Sequence, residues 1–371
     1  MGFLKYYSRS IFGLSDIRTI LASYLVVAAC CLFANGVAVA DAVETAEQNE
    51  AAQKTLHVMA SIRPLQMLVQ DLTQGILPVS VDVLVPRNSS PHDYQLTPRS
   101  AFSLRNADFV VWLGASAEPY LTKAIFQQKS ATVAMLNLPA MHLRHYSEVA
   151  VHKGQGDAGQ ELEEHNDRGH NHDDAHEHSG IDPHFWWSVQ HLDVAAQALV
   201  EQLSKLRPKA ALALRSRYVQ WIESLREQRQ QARKQLKSNP AGVLTYHDSL
   251  FYLQLDLQRE LQPTSQLMSQ PDVKPGARQL IELRQRVQAQ KLQCLILEPG
   301  SSLAWISKID PNGLLNQVTI DPLGWSVDPL GENLEGAEGG LIAAMLRSAY
   351  QKLELCLAKK SVTTAEPSPG N

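Results

Sequence analysis

The chain has 371 residues, 44% of them hydrophobic, enough for one large domain or two medium lobes with real cores. Its formal net charge of −4 offers no basic surface that would argue for a nucleic-acid partner. Residues 1–40 read as a secretory signal peptide rather than as part of the fold. Lys5, Arg9 and Arg18 make a positive start, Ile20 to Phe33 an apolar core, and Ala38-Val39-Ala40 sets small residues before a cleavage point at Asp41. A membrane anchor is the competing reading. Asn35 and Gly36 cut the apolar run short of the about 18–20 residues a span needs. Val27-Ala28-Ala29-Cys30 faintly resembles a lipoprotein box, which would leave a lipid anchor on Cys30.

After a polar start at 41–54, short apolar runs alternate with helical stretches. LHVMASI (56–62), SVDVLVP (80–86), DFVVWLG (108–114) and ATVAML (131–136) read as strands, with RPLQMLVQDLTQ and TPRSAFSLRNA as helices between them. That order predicts a parallel sheet covered by helices. Residues 140–182 break the pattern. They are polar, acidic and histidine-rich, and read as a mobile insertion.

Helical spacing returns at 189–206, and Pro208 then suits the first turn of another helix, 208–238. The second half of that long helix is almost wholly polar beyond Leu225, which predicts a solvent-exposed strut between lobes. A second series follows. AGVLTYH (241–247), CLILEP (294–299) and QVTID (317–321) read as strands, with helices near 249–259, 276–290 and 302–309 and a last one in GGLIAAMLRSAYQKLELCLAK. The expected fold is α/β, two lobes with parallel-type sheets joined by a long helix, which places a cleft between them. Its plan is a leader at 1–40, an N-terminal lobe at 55–187 carrying the insertion, helices at 188–238, a C-terminal lobe at 239–357 and a polar tail at 358–371.

Without the leader two cysteines remain, Cys294 and Cys356. An even count in an oxidising compartment favours a disulfide; two buried thiols are the alternative.

Four residues fall beyond strands or beside the insertion, where open α/β sheets present ligand groups: His92, His184, His247 and Asp321. Each histidine alone is more readily explained as a satisfied core or surface residue. Together, three imidazoles and a carboxylate form a four-coordinate set that suits Zn²⁺. Imidazole also suits copper and nickel, whereas manganese prefers more oxygen ligands.

In order and spacing, VLVPRNSSPHDYQLTP, DPHFWWS, VLTYHDS, LEPGSS and IDPLG resemble the motifs of the metal-binding proteins of cluster 9 ABC importers, and most of all their ZnuA-type zinc-uptake branch. The resemblance runs from about residue 55 to 357. It implies two α/β lobes, a rigid long helix, and metal held between the lobes by His92, His184, His247 and Asp321. It also implies a disulfide between Cys294 and Cys356. Three departures matter. Pro91 stands where some zinc members carry a glutamate before the first histidine. DPLG occurs twice, at 321–324 and 328–331, and Asp321 is preferred to Asp328 because it ends an apolar strand. Glu298 lies close to the cleft in this family, but His247 already fills the third ligand place, so Glu298 is expected to orient a histidine ring.

The insertion adds His165, His170, His172, His176 and His178 among acidic neighbours. It resembles the His/Asp/Glu-rich loop of zinc members and is expected to gather zinc weakly at many points; a solvated acidic loop is the alternative. The function implied is capture of Zn²⁺ in the periplasm by a monomer and its delivery to a membrane permease, with no enzymatic activity and no nucleic-acid partner. The alternatives are a secreted zinc hydrolase or hydratase, which lacks support from any HExxH helix, and a stand-alone zinc buffer.

Overall fold

The computed structural model describes residues 54–145, 180–236, 242–258, 265–266, 275–327 and 339–358. The expected leader, the five insertion histidines, Asp328 and all but the first residue of the tail lie outside the described residues.

Two four-stranded parallel sheets frame the molecule. In the N-terminal half, β1 (Leu56–Ala60), β2 (Val79–Val83), β3 (Phe109–Trp112) and β4 (Ala131–Ala134) lie in the order β2-β1-β3-β4. In the C-terminal half, β5 (Gly242–Thr245), β6 (Ser265–Gln266), β7 (Leu292–Leu297) and β8 (Asn316–Thr319) repeat it as β6-β5-β7-β8. Every pairing is parallel. Parallel neighbours require crossovers, which helices supply. They are α1 (Arg63–Thr73), α2 (Pro98–Asn106) and α3 (Pro119–Phe126) in the first half. In the second half they are α6 (Phe251–Asp256), α7 (Ala277–Gln288) and α8 (Leu303–Ile309). Between the halves run α4 (Val189–Leu206) and α5 (Ala211–Leu236), and α9 (Gly340–Leu357) closes the described chain.

Side-chain alternation along the strands divides the apolar residues into layers. Leu56, Val58, Phe109 and Val111 point inward with Val243, Cys294 and Ile296 of the other sheet, into one core shared with α1, α4, α5 and α9. Met59, Val110 and Trp112 point outward against Leu104 of α2 and Leu121 of α3. Leu244, Leu295 and Leu297 point outward against α7 and α8. Because the largest core belongs to both halves, moving one lobe against the other would expose apolar surface. The frame is built to be stiff.

A polar contact crosses the same layer. Asp71 of α1 accepts the backbone N–H groups of Leu341 and Ile342, at 2.7 and 3.0 Å, at the start of α9. It also accepts the indole N–H of Trp221 in α5, at 3.2 Å. Gly340 has φ +79°, and a Cβ there would collide with the Asp71 carboxylate, so the start of α9 needs a glycine.

The long helix is only in part the expected exposed strut. Leu236 and Ala232 are buried near its end. Its polar residues reach neighbouring backbone and carboxylates: Gln228 donates to Ala343 O at 2.9 Å, Arg229 to Asp256 at 3.2 Å, and Arg233 to Asp256 O at 2.6 Å. Polarity there marks two things: Arg226, Glu227, Gln230, Gln231, Lys234 and Gln235 face solvent as expected, while Gln228, Arg229 and Arg233 bond α9 and α6. No sequence pattern marks α3, because eight residues starting at Pro119 are too few for a clear helical period. The edges of the 140–182 stretch are also fixed. Met141 is buried, His145 bridges Ile181 in antiparallel fashion, and Asp182 has no exposed surface. Cys294 of β7 and Cys356 of α9 form a disulfide.

Candidate metal site

In both sheets the first strand lies between the second and third, so a crevice opens at the carboxyl ends of the central pair. His247 follows β5 and Glu298 follows β7, the central pair of the C-terminal sheet. His92 lies in the loop between β2 and α2. His184 precedes a 3-10 turn, Phe185–Trp187, whose three aromatic side chains are buried. That turn is fixed from below by Ser188, the N-cap of α4, whose side chain accepts the His191 N–H. An apolar anchor thus holds His184 at the cleft wall.

The structure brings His92, His184 and His247 together, with one ring nitrogen of each within 4.8 Å of the others. Ring centroids are 5.4 Å apart for His184 and His247, and 6.1 and 6.2 Å from His92 to each. His184 and His247 are buried, while His92 is exposed. Tetrahedral zinc with nitrogens at 2.0–2.1 Å would set them about 3.3 Å apart, so the three need to draw in slightly around an ion.

Each buried imidazole has a carboxylate behind it. His184 Nδ1 lies 2.8 Å from Oδ1 of Asp182, which also accepts the His184 backbone N–H at 3.1 Å. His247 Nδ1 lies against Oε1 of Glu298, which also accepts the Ser249 hydroxyl at 2.9 Å. Holding Nδ1–H on a carboxylate leaves Nε2 as the ligand atom and raises its basicity. His247 Nε2 is buried and has no hydrogen-bond partner among the described residues. A buried orphan acceptor is costly, and a cation is the partner it fits. Burial alone would raise the Asp182 carboxyl. The His184 hydrogen bond and the charges of His184 and Arg144 outweigh it and hold the carboxyl below the usual carboxylate range.

Asp321 stands outside the group of three. Its oxygens accept the N–H groups of Leu323 and Ser326, at 3.0 and 2.7 Å, within its own turn. The carbonyl of the next residue, Pro322, accepts the Trp186 indole N–H at 2.8 Å, and the Trp186 ring lies 5.3 Å from that of His184.

Two supporting residues escaped the sequence reading. Asp182, two residues before His184, was a visible signal, since a carboxylate next to a ligand histidine is a candidate orienting group. Arg144 gave none, because it lies in a stretch without apolar period that reads as insertion.

The family model described as "Zinc-uptake complex component A periplasmic" matches residues 58–349. A high-affinity zinc uptake system protein ZnuA of Yersinia pestis is 28% identical over 276 residues, covering 72% of this chain and 83% of that protein. A crystal structure of ZnuA superposes with a TM-score of 0.63 at 18% identity, covering 82% of this chain and all of that one. The binding protein FpvC of Pseudomonas aeruginosa, solved with Mn²⁺, superposes at 0.60 and 15% identity, covering 82% of this chain and 98% of that one. The two superpositions show a common fold, which by itself does not choose the metal.

Proposed function

The chain belongs to the family of periplasmic zinc-uptake complex component A, and from that premise we propose that His92, His184 and His247 are the protein ligands that capture Zn²⁺ in its cleft. The protein is the zinc-binding component of a zinc uptake system, located in the periplasm and working with an ABC permease. It is a binding protein and not an enzyme, which sets aside the hydrolase reading. Zinc is its transported cargo, not a resident cofactor.

The observation that carries the ligand set is the convergence of three ring nitrogens within 4.8 Å, two of them backed by carboxylates. A set in which three of the protein ligands are nitrogens favours zinc over manganese, which wants more oxygen ligands. Glu298 and Asp182 orient the rings, and Asp321 joins as an oxygen ligand when the ion is present. The insertion histidines 165, 170, 172, 176 and 178 collect zinc weakly and pass it to the cleft. Residues 1–40 export the chain and are removed before Asp41, and the mature protein acts as a monomer. Calorimetric titration of untagged protein, beside its metal content as purified, tests the reading. One tight zinc per chain, lost in His247→Ala, is the expected result.

A further inference from the structure

Arg144 stands between the two halves of the site. Its Nη2 lies 2.9 Å from Oδ2 of Asp182 and also pairs with Oδ2 of Asp248. Asp182 is the carboxylate behind His184, and Asp248 directly follows His247. The guanidinium lies 4.0 Å over the Phe251 ring. Backbone contacts fix the same place: Arg144 N–H donates to the Tyr252 hydroxyl at 2.8 Å, and Asp182 N–H donates to Arg144 O at 2.9 Å. The Tyr252 hydroxyl in turn donates to Asp182 O at 3.2 Å. Arg144 and Asp182 come from the chain leading to His184, whereas Asp248, Phe251 and Tyr252 belong to the C-terminal half. The arginine therefore bridges the carboxylate behind His184 to the residue that directly follows His247.

The chemistry favours a guanidinium here. Arg144 is only 11% exposed in its side chain, and an unpaired cation so buried would be costly. Conversely, Asp182 and Asp248 would repel each other without a shared cation. Both carboxylates meet the one nitrogen Nη2 while the always charged guanidinium packs over an aromatic ring; a lysine ammonium on its flexible stem cannot hold that arrangement as rigidly. Metal sites tolerate only about 0.5 Å of slack in their ligands. The distance between His184 and His247 is set by elements from different halves of the chain, and beyond the shared core the arginine ties those elements directly.

We infer that Arg144 is a positioning residue for the metal site, clamping the carboxylates beside His184 and His247 so that the two imidazoles keep the spacing an ion requires. This rests on the reading of those histidines as ligands.

The test uses the full mature chain carrying Arg144→Ala, Arg144→Lys, Asp248→Asn or His247→Ala. For each, Zn²⁺ affinity is measured by chelator competition, the ligand-field absorption is recorded at saturating Co²⁺, and the thermal midpoint is taken without metal. Arg144→Ala and Asp248→Asn should each weaken zinc by about 10–100-fold, the range seen when a group supporting a ligand is lost. Both should alter the Co²⁺ spectrum, and Arg144→Lys should fall between Arg144→Ala and the parent chain. An unchanged affinity and spectrum in Arg144→Ala would overturn the clamp, even with a lowered thermal midpoint, because the arginine would then serve the fold alone. If Arg144→Ala does not fold, the same unchanged pair of readings in Asp248→Asn and Arg144→Lys overturns it. His247→Ala separates the two readings: tight zinc binding retained there would remove the ligand assignment itself.

Discussion

Oδ1 of Asp182 stands 2.8 Å from Nδ1 of His184, two residues after it in the chain, and accepts that residue's backbone N–H as well. One carboxylate oxygen thus fixes both the ring and the main chain of a proposed ligand. Glu298 does the same for the His247 ring from a different strand end. Such partners set the tautomer and the aim of an imidazole, and losing one costs about 10–100-fold in metal affinity. Asp182→Asn and Glu298→Gln should each fall in that range by chelator competition. Wild-type affinity in both would mean that the rings are held by packing alone.

Removing a ligand should cost more than removing its support. His92→Ala, His184→Ala and His247→Ala are each expected to lose more zinc affinity than the orienting-carboxylate variants. Deleting residues 163–179 should leave the tight site intact while reducing total stoichiometry and slowing loading when zinc is scarce. Calorimetry and stopped-flow mixing measure the two. Tight binding lost with the loop but kept in His247→Ala would place the main site in the insertion.

What the sequence disclosed follows from what side chains must do locally. Strands such as FVVW at 109–112 are buried over their whole length, so they stand out as apolar runs. The helix at 189–206 buries residues 189, 192, 196, 199 and 203, a period that can be read directly. His247 and Glu298 were visible because they follow such strands. Arg144 was invisible, since its value lies in contacts with Asp182 and with Asp248, 104 residues away. The exposed-strut reading of α5 held only in part, for a related reason. Polarity reports a hydrogen-bonding requirement, and Arg229, Arg233 and Gln228 meet it inside the protein.

Stability should carry a pH signature from Asp71. Burial drives its carboxyl up to about 7, against the lowering effect of the hydrogen bonds from Ile342, Leu341 and Trp221. In the unfolded chain an aspartate titrates near about 3.9. The folded state therefore binds this proton more tightly, and the unfolding free energy contributed by Asp71 decreases as pH rises from about 4 to about 7. Asp71→Asn removes that slope while keeping one acceptor for the start of α9. In urea unfolding of the metal-free protein, wild-type stability relative to Asp71→Asn should decline between pH 5 and pH 7 (about the window just derived). A difference independent of pH would show that the carboxylate stays ionised throughout.

The disulfide should serve stability rather than binding. Cys294 and Cys356 are 62 residues apart, and the bridge ties β7 to the end of α9. Chain entropy for a loop of that size corresponds to about 4 kcal/mol. Cys294→Ser with Cys356→Ser should lower stability by up to that amount and leave one tight zinc per folded chain. Loss of zinc binding in folded variant would instead tie the bridge to the cleft.

Asp321 tests how the fourth position is filled. Both of its oxygens are engaged by Leu323 and Ser326 N–H groups, yet a carboxylate has about four lone-pair sites and can take an ion as well. Its turn is tethered to the His184 side of the cleft by the Trp186 indole, which donates to Pro322 O at 2.8 Å. Trp186→Phe removes that hydrogen bond but keeps an aromatic ring beside His184. If Asp321 completes the site, Asp321→Asn should weaken zinc, by less than His247→Ala because three nitrogens remain. Trp186→Phe should weaken it in the same direction by freeing the turn, and should add nothing in the double variant with Asp321→Asn. X-ray absorption of the loaded wild type should then show three nitrogens and an oxygen at about 2.0–2.2 Å. Wild-type affinity in Asp321→Asn would leave the three imidazoles as the whole of the protein's hold on the ion.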